Sequence, residues 1–383
     1  MLNWLNDYVH RYDLYDVELL IMARGNTAFH AYVSHPDVPE VYDSNRLMRV
    51  ASISKLVVAI AVMQQVENGN MQLEERGDHY LGFPLVNPHH PTIPITVQML
   101  LTHTSSLQDT DPIYIPMEES IALRYDSQRA YCQDDMFIRD NGRWVKPGER
   151  YHYSNQGYQL LATILERVTN ERFDHYVQNH IFTPLGMMAS FDRQDDRIQD
   201  RVRPLYRKEQ NKWTPQIDGT IEKRKNYTKY KLGTNGSVFG PQGGLRTNAT
   251  ELQKLMVEWM NPSKGLLQPN TWNQMMSIVV SDQQGDMDLE SFPCNYGLGC
   301  HIITPRSINR PIASMTQSLV GHSGVAYGFH GLFYFEPDTG NGIIALCGGH
   351  GRPLDTYKGR HSGFRSFEED IMTHVNDQYW RMS

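Results

Sequence analysis

Long apolar runs are missing from this chain. No stretch approaches the roughly 20 consecutive apolar residues that a bilayer-crossing helix needs, so no membrane span is expected. Cysteine is scarce, with four in 383 residues. Cys132, Cys294, Cys300 and Cys347 are irregularly spaced with no Cys-x-x-Cys pair, which reads as free thiols rather than a disulfide frame or a zinc site. Positive charge is in deficit: 36 Lys and Arg against 43 Asp and Glu leave a net charge of −7. With a pI near 6.1 there is no broad basic field to attract nucleic acid. The histidines, His89, His90 and His350 among them, form no pattern such as His-Glu-x-x-His, so no metal and no other cofactor is expected. Gly-x-Ser-x-Gly is absent as well, which argues against an α/β-hydrolase. There is no internal repeat and no low-complexity tract. Residues Met1 to Asp7 lack the positive start and continuous apolar stretch of a secretory signal, so a cytoplasmic location is expected; a processed exported form opening on an added methionine would look the same.

What the chain does have is concentrated in short segments. Ser52-Ile53-Ser54-Lys55 runs directly into the apolar stretch Leu56 to Met63. Residues three apart share a helix face, so Ser52 and Lys55 can meet while Ser54 points elsewhere. A lysine holds its proton up to about pH 10 in water, but desolvation beside a packed helix lowers that value by several units and makes the amine a usable base. Ser52 could then be activated without histidine or aspartate. Taken alone, Ser52 also suits a helix cap and Lys55 a snorkelling surface lysine, and the spacing itself arises by chance.

Two further segments supply context. Tyr153-Ser154-Asn155 lies on a loop before Leu160 to Val168, whose apolar residues recur at helical spacing. Gly321-His322-Ser323-Gly324-Val325 precedes an aromatic and glycine-rich stretch, Ala326 to Phe335, with strand-like alternation. In this order, Ser-x-x-Lys, Tyr-x-Asn and His-x-Gly resemble the penicillin-recognising serine hydrolases: class C β-lactamases, D-alanyl-D-alanine carboxypeptidases and related esterases, for whose class A members an analogous motif set is established. Leu100 to Leu107, Ile181 to Met187 and Gly243 to Leu252 resemble other stretches of that family, and the likeness runs from about Leu47 to Gly349.

The resemblance implies an acyl-enzyme on Ser52, with Lys55 and Tyr153 as its catalytic partners. Tyr153 would exchange protons with Ser52 and the leaving group, its pKa drawn down by the Lys55 ammonium. Asn155 would donate to a substrate amide oxygen and accept from Lys55. His322, Ser323, Gly324 and Val325 would line the substrate, and the backbone N–H groups of Ser52 and Val325 would form an oxyanion hole. His322 stands where class C β-lactamases carry lysine. It would hold a substrate carboxylate if protonated, or orient Tyr153 if neutral, and it tilts the expectation toward esterase or peptidase over efficient β-lactamase. His103 reads as hydrogen-bonding within its own turn. The expected substrate is a small molecule or short peptide carrying an acyl group. An acyltransferase on the same fold, or a non-catalytic penicillin-binding or sensing module, is the alternative. Oligomeric state is not legible.

At 383 residues the chain exceeds the roughly 250 to 300 at which single cores stop growing. An α+β architecture is expected: an antiparallel sheet flanked by helices, with a mainly helical lobe inserted. The sheet domain would be discontinuous, from residues 1–75 and 290–383, with 76–289 the helical domain. Strands are expected at Val17 to Ala23 and Thr27 to Val33, turning at Gly25-Asn26, and at Tyr296 to Ile303, Phe329 to Phe335 and Gly342 to Cys347. Helices are expected at Val97 to Leu101, Gly157 to Val168, Phe173 to Phe182 and Glu251 to Trp259, and at the chain's end. The stretch near 192–232, rich in both charge signs and poor in aliphatics, reads as a solvated surface excursion.

Overall fold

Alternation along the first strand sets the architecture. In Asp16–Ala23, Leu20 and Met22 project into one apolar core while Val17, Leu19 and Ile21 project into another. A strand apolar on both faces must be covered on both. The computed structural model, which describes residues 1–125, 134–219, 226–282 and 294–381, shows how. The first core packs the helices Ser54–Glu67, Asn155–Thr169 and Ala249–Met260, and the second packs Leu2–Arg11 and Ser366–Val375. Cys132 lies outside the described residues; Cys294, Cys300 and Cys347 are buried and free.

The sheet has seven strands in the order Asn26–Ser34, Asp16–Ala23, Gly342–Cys347, Phe329–Phe335, Leu319–Ala326, His301–Ile303, Asn295–Tyr296, with every pairing antiparallel. Both ends of the chain thus build one sheet, as expected, within an α+β fold. The first hairpin turns at Arg24-Gly25, one residue before the expected position, because a two-residue turn of this hand needs positive φ at both places and these residues have 51° and 77°. The single strand expected from Tyr296 to Ile303 is two short ones. A Cβ at Gly297 would sit 2.2 Å from the Met275 carbonyl oxygen and Gly299 has φ of 85°, so the chain reverses there. His322 does not precede a strand but lies on one, Leu319–Ala326, joined to Phe329–Phe335 by Tyr327-Gly328.

Helix Ser54–Glu67 is apolar all round and every residue from Leu56 to Met63 is fully buried, the pattern of a helix at the centre of a large core. Among the described residues, no helix is long and apolar enough to cross a membrane.

In the stretch near 192–232, of which residues 220–225 lie outside the described ones, most described side chains are exposed or half-buried, as expected of a surface excursion, but the stretch also carries ordered elements. Strands Leu205–Glu209 and Lys212–Ile217 form a hairpin, and the first pairs in parallel with Gly349–His350. Phe191, Ile198, Val202 and Leu205 are buried. One of its charges is buried and paired: the fully buried Arg203 Nη2 donates to Asp16 Oδ1 at 2.8 Å. Asp16 also accepts from the Gly348 amide at 2.9 Å and the Tyr32 hydroxyl at 2.5 Å. Composition reports the charges but not their pairing.

Removing one partner of a buried pair strands the other charge. Arg203→Leu is therefore expected to destabilise the protein by about 3–5 kcal/mol in urea unfolding, and a loss below about 1 kcal/mol would show that Asp16 is solvated or otherwise compensated.

Candidate active site

Ser52 lies in a single tight turn, Ala51–Ile53, that feeds the buried helix Ser54–Glu67. Ala51 takes φ of 45°, a conformation that costs an L-residue energy and persists only where the surroundings enforce it. Enforcement comes from Ser54, whose hydroxyl donates to the Ala51 carbonyl at 2.6 Å and accepts from the Leu245 amide at 3.1 Å. Ser54 therefore points away from Lys55, and Ser52 caps nothing.

Lys55 is fully buried and its ammonium has three neighbours: Ser52 Oγ at 3.0 Å, Asn155 Oδ1 at 2.9 Å and the Gln242 carbonyl at 2.7 Å. Burial pushes its pKa down to about 7, against a smaller upward pull from Asp109. Two of the three neighbours can only accept hydrogen bonds. A neutral amine has two N–H donors and one lone pair, so donation to Asn155 and Gln242 leaves the lone pair for the Ser52 hydroxyl. The Tyr153 hydroxyl donates to Ser52 Oγ at 2.7 Å from the other side. The serine oxygen is thus held between an amine and a phenol.

The expected lowering of the Tyr153 pKa is not found. Burial pushes the phenol above its ordinary value, and the hydrogen bond to Ser52 opposes this only in part. Lys55 Nζ does sit 4.6 Å from the Tyr153 ring centroid, over its face, but as an amine half deprotonated near neutrality it exerts little pull.

Asp109, which the sequence reading missed, organises the Tyr153 loop. Its carboxylate accepts from Asn155 Nδ2 at 2.6 Å, Ser154 Oγ at 3.2 Å and the Gln156 amide at 3.1 Å, at the start of helix Asn155–Thr169. Because Nδ2 serves Asp109, Asn155 must turn Oδ1 toward Lys55. The only prior signal was position, two residues beyond the Leu100 to Leu107 segment. His103 acts further afield than its own turn: Nδ1 accepts from the Ser154 amide at 3.1 Å and the ring packs 4.3 Å from that of Tyr153.

His322 is brought near but not into contact with Ser52. It is buried, with Nδ1 2.5 Å from the Ser323 carbonyl and Nε2 3.2 Å from the Tyr296 hydroxyl. The carbonyl can only accept, so Nδ1 carries the proton. Burial, then neighbouring His301 and Lys55, hold its pKa well below the usual imidazole range. His301, stacked on it at 4.1 Å, falls to about 3, and His103 is depressed likewise. Burial thus favours the neutral form of His322, whose two ring nitrogens are already engaged by Ser323 and Tyr296, and this disfavours the carboxylate-holding role. It does not hydrogen-bond Tyr153 either; their rings lie 6.4 Å apart. The rings of His103, His301 and His322 pack with those of Tyr151, Tyr158 and Tyr296, and the Tyr158 ring centroid lies 5.4 Å from Lys55 Nζ. Ser323 is half-buried beside Tyr334, and Val325 is half-exposed at the strand's outer end. Gly324 permits the close approach of strand to turn, since a Cβ there would lie 2.5 Å from the Val50 carbonyl and 3.3 Å from the Ser52 amide nitrogen.

A cavity of about 480 Å³ lies between Arg49, Tyr114, Phe191, Phe239 and Tyr327; none of Ser52, Lys55, Tyr153 and Asn155 lines it, and Gln242 links it to this centre, its carbonyl accepting from Lys55 and its side chain donating to Tyr114. Among the described residues no cluster of His, Cys, Asp and Glu could hold a metal ion.

Comparison with known proteins identifies the family and the fold. Over 170 residues the chain is 29% identical to penicillin-binding protein 4* of Bacillus subtilis, a stretch covering 43% of this chain and 35% of that protein. It is 31% identical over 141 residues to a putative penicillin-binding protein, PbpX, of the same organism, covering 36% and 31%. The chain thus matches about a third of the length of these curated relatives. In structure it superposes on D-amino acid amidase from Ochrobactrum anthropi with a TM-score of 0.70 at 18% identity, covering 100% of this chain and 99% of that one. The penicillin-binding protein from Bacillus halodurans gives 0.65 at 19%, covering 98% of this chain and 99% of that one. The β-lactamase family model matches residues 3–362, and with the fold shared this widely, the chain belongs to the β-lactamase family of serine hydrolases.

Proposed function

We propose that this protein cleaves an amide or ester of a small molecule or short peptide through an acyl-enzyme on Ser52, as an esterase or peptidase rather than an efficient β-lactamase. The observation that carries the reading is the convergence on Ser52 Oγ of Lys55 Nζ at 3.0 Å and the Tyr153 hydroxyl at 2.7 Å. Neutral Lys55 takes the serine proton as Oγ attacks the carbonyl carbon. The developing oxyanion is met by the backbone N–H groups of Ser52 and Val325, which Gly324 allows to approach. Tyr153, an intact phenol, gives its proton to the departing nitrogen or oxygen and recovers one from the Lys55 ammonium. Water then attacks the ester by the reverse proton path and frees Ser52. Asn155 orients the amine, and Asp109 orients Asn155. The structural neighbour that is a D-amino acid amidase fits an amide substrate, and the neutral His322 disfavours recognition of a carboxylate at the place where class C enzymes carry lysine.

Ser52→Ala is expected to lower turnover of p-nitrophenyl esters by roughly four orders of magnitude with the fold intact by circular dichroism. Retained turnover would refute the nucleophile assignment. Lys55→Ala and Tyr153→Phe should each cost about 10²–10⁴ in kcat.

The pH profile follows from Lys55. The base form lies above the pKa, so kcat/KM should rise with pH through about 7 and be lost as pH falls below it. Asp109 pulls that pKa upward, so Asp109→Asn should move the rising limb to lower pH while reducing the rate. A limb that stays in place, or moves up, would contradict this assignment of the base.

A further inference from the structure

The cavity flanked by Arg49 and Tyr327 carries charge that the reaction as described does not use. Five charged side chains line it: Arg49, Arg193, Arg246, Asp192 and Asp218. Four are engaged. Asp218 binds Arg246 through Nε at 3.1 Å and Nη2 at 2.9 Å, with Arg193 3.7 Å away. Arg193 also donates to the Gln199 carbonyl at 3.0 Å, and Asp192 accepts from the Gln194 amide at 3.0 Å. Arg49 differs. Only its Nε is used, donating to the Gly243 carbonyl at 2.7 Å, while the guanidinium stacks 5.0 Å from the Tyr327 ring centroid. Its two terminal nitrogens have no hydrogen-bond partner among the described residues, although the residue is only 9% exposed. A guanidinium so sheltered, fixed in direction at Nε and stacked on one face, presents the planar fork that fits a carboxylate.

Position decides which part of a substrate would arrive there. Arg49 stands three residues before Ser52, and Tyr327 two residues after Val325, so the cavity opens between the two segments that meet at Gly324. Phe191, Ile217, Val238 and Phe239 give its wall an apolar part beside the polar Gln194 and Gln199, and its volume of about 480 Å³ suits a small ligand. We infer that this cavity is the acyl-group subsite, and that Arg49 binds a carboxylate at the far end of an apolar acyl chain. The inference rests on the acyl-enzyme reading and adds a substrate class to it: donors whose acyl portion ends in an acid.

The test uses the full chain and two matched esters, p-nitrophenyl hydrogen glutarate and its neutral methyl ester, compared by the ratio of their kcat/KM values. The wild-type ratio should favour the acid by about tenfold or more, the scale of one charge-assisted hydrogen-bonded pair. Arg49→Gln should bring the ratio to about one, Arg49→Lys should retain part of it, and Arg49→Glu should invert it. A merely structural role, acting through Gly243 on the Lys55 site, would lower both esters together and leave the ratio unmoved. That result, or a wild-type ratio near one, overturns the inference. Neutral-ester turnover that Ser52→Ala abolishes keeps the acyl-enzyme reading standing in either case; Ser52-independent turnover of both esters would sink that reading instead.

Discussion

The amine of Lys55 is held where water cannot reach it, with two of its hydrogen-bond positions already taken by oxygens that only accept. Desolvation disfavours the ammonium, and the carbonyls of Asn155 and Gln242 fix where the remaining lone pair points. A lysine in water would be protonated and mobile at neutral pH; here it is half-deprotonated and aimed at one hydroxyl. The other features of the site keep that amine dry or keep its acceptors in place.

Seen this way, the fold is a support for one nitrogen. The buried apolar run Leu56 to Met63 of helix Ser54–Glu67 follows directly on the fully buried Lys55, and burial holds the imidazoles of His103, His301 and His322 toward the neutral form, so they add no competing charge. Asp109 sits one hydrogen bond further out, where its charge fixes the Asn155 amide and pulls the Lys55 pKa only modestly. Gly324 and the positive φ of Ala51 let a strand and a turn come within contact distance, the close approach that the proposed oxyanion hole requires. Asp192, Arg193 and Asp218 line the cavity that Arg49 also faces, with Arg246 and Asp218 neutralising one another.

Much of this was legible in the chain. Ser52, Lys55, Tyr153 and Asn155 were found because their chemistry depends on residue type at fixed spacing, and the motif order located a shared centre. The helices and most strands followed from periodicity. What escaped had other causes. Gln242 contributes a backbone carbonyl, which any residue could supply, and Asp109 occupies a turn with no period to mark it. The direction of the Tyr153 shift was misjudged because burial, which the sequence does not report, outweighs the nearby amine. His322 was assigned by motif position, whereas its role depends on Tyr296 and His301, which carried no signal of their own. The segment Tyr296 to Ile303 looked like one strand because the closeness of Met275 to Gly297, which forces the reversal, is a tertiary fact.

The most direct test of this account is the titration of the Lys55 amine itself, followed by NMR of the ε-carbon in protein carrying labelled lysine, with Lys55→Arg identifying the signal. The account predicts a midpoint near pH 7, set by burial and Asp109. A Lys55 signal that stays protonated up to about pH 10, like a lysine in water, would contradict it.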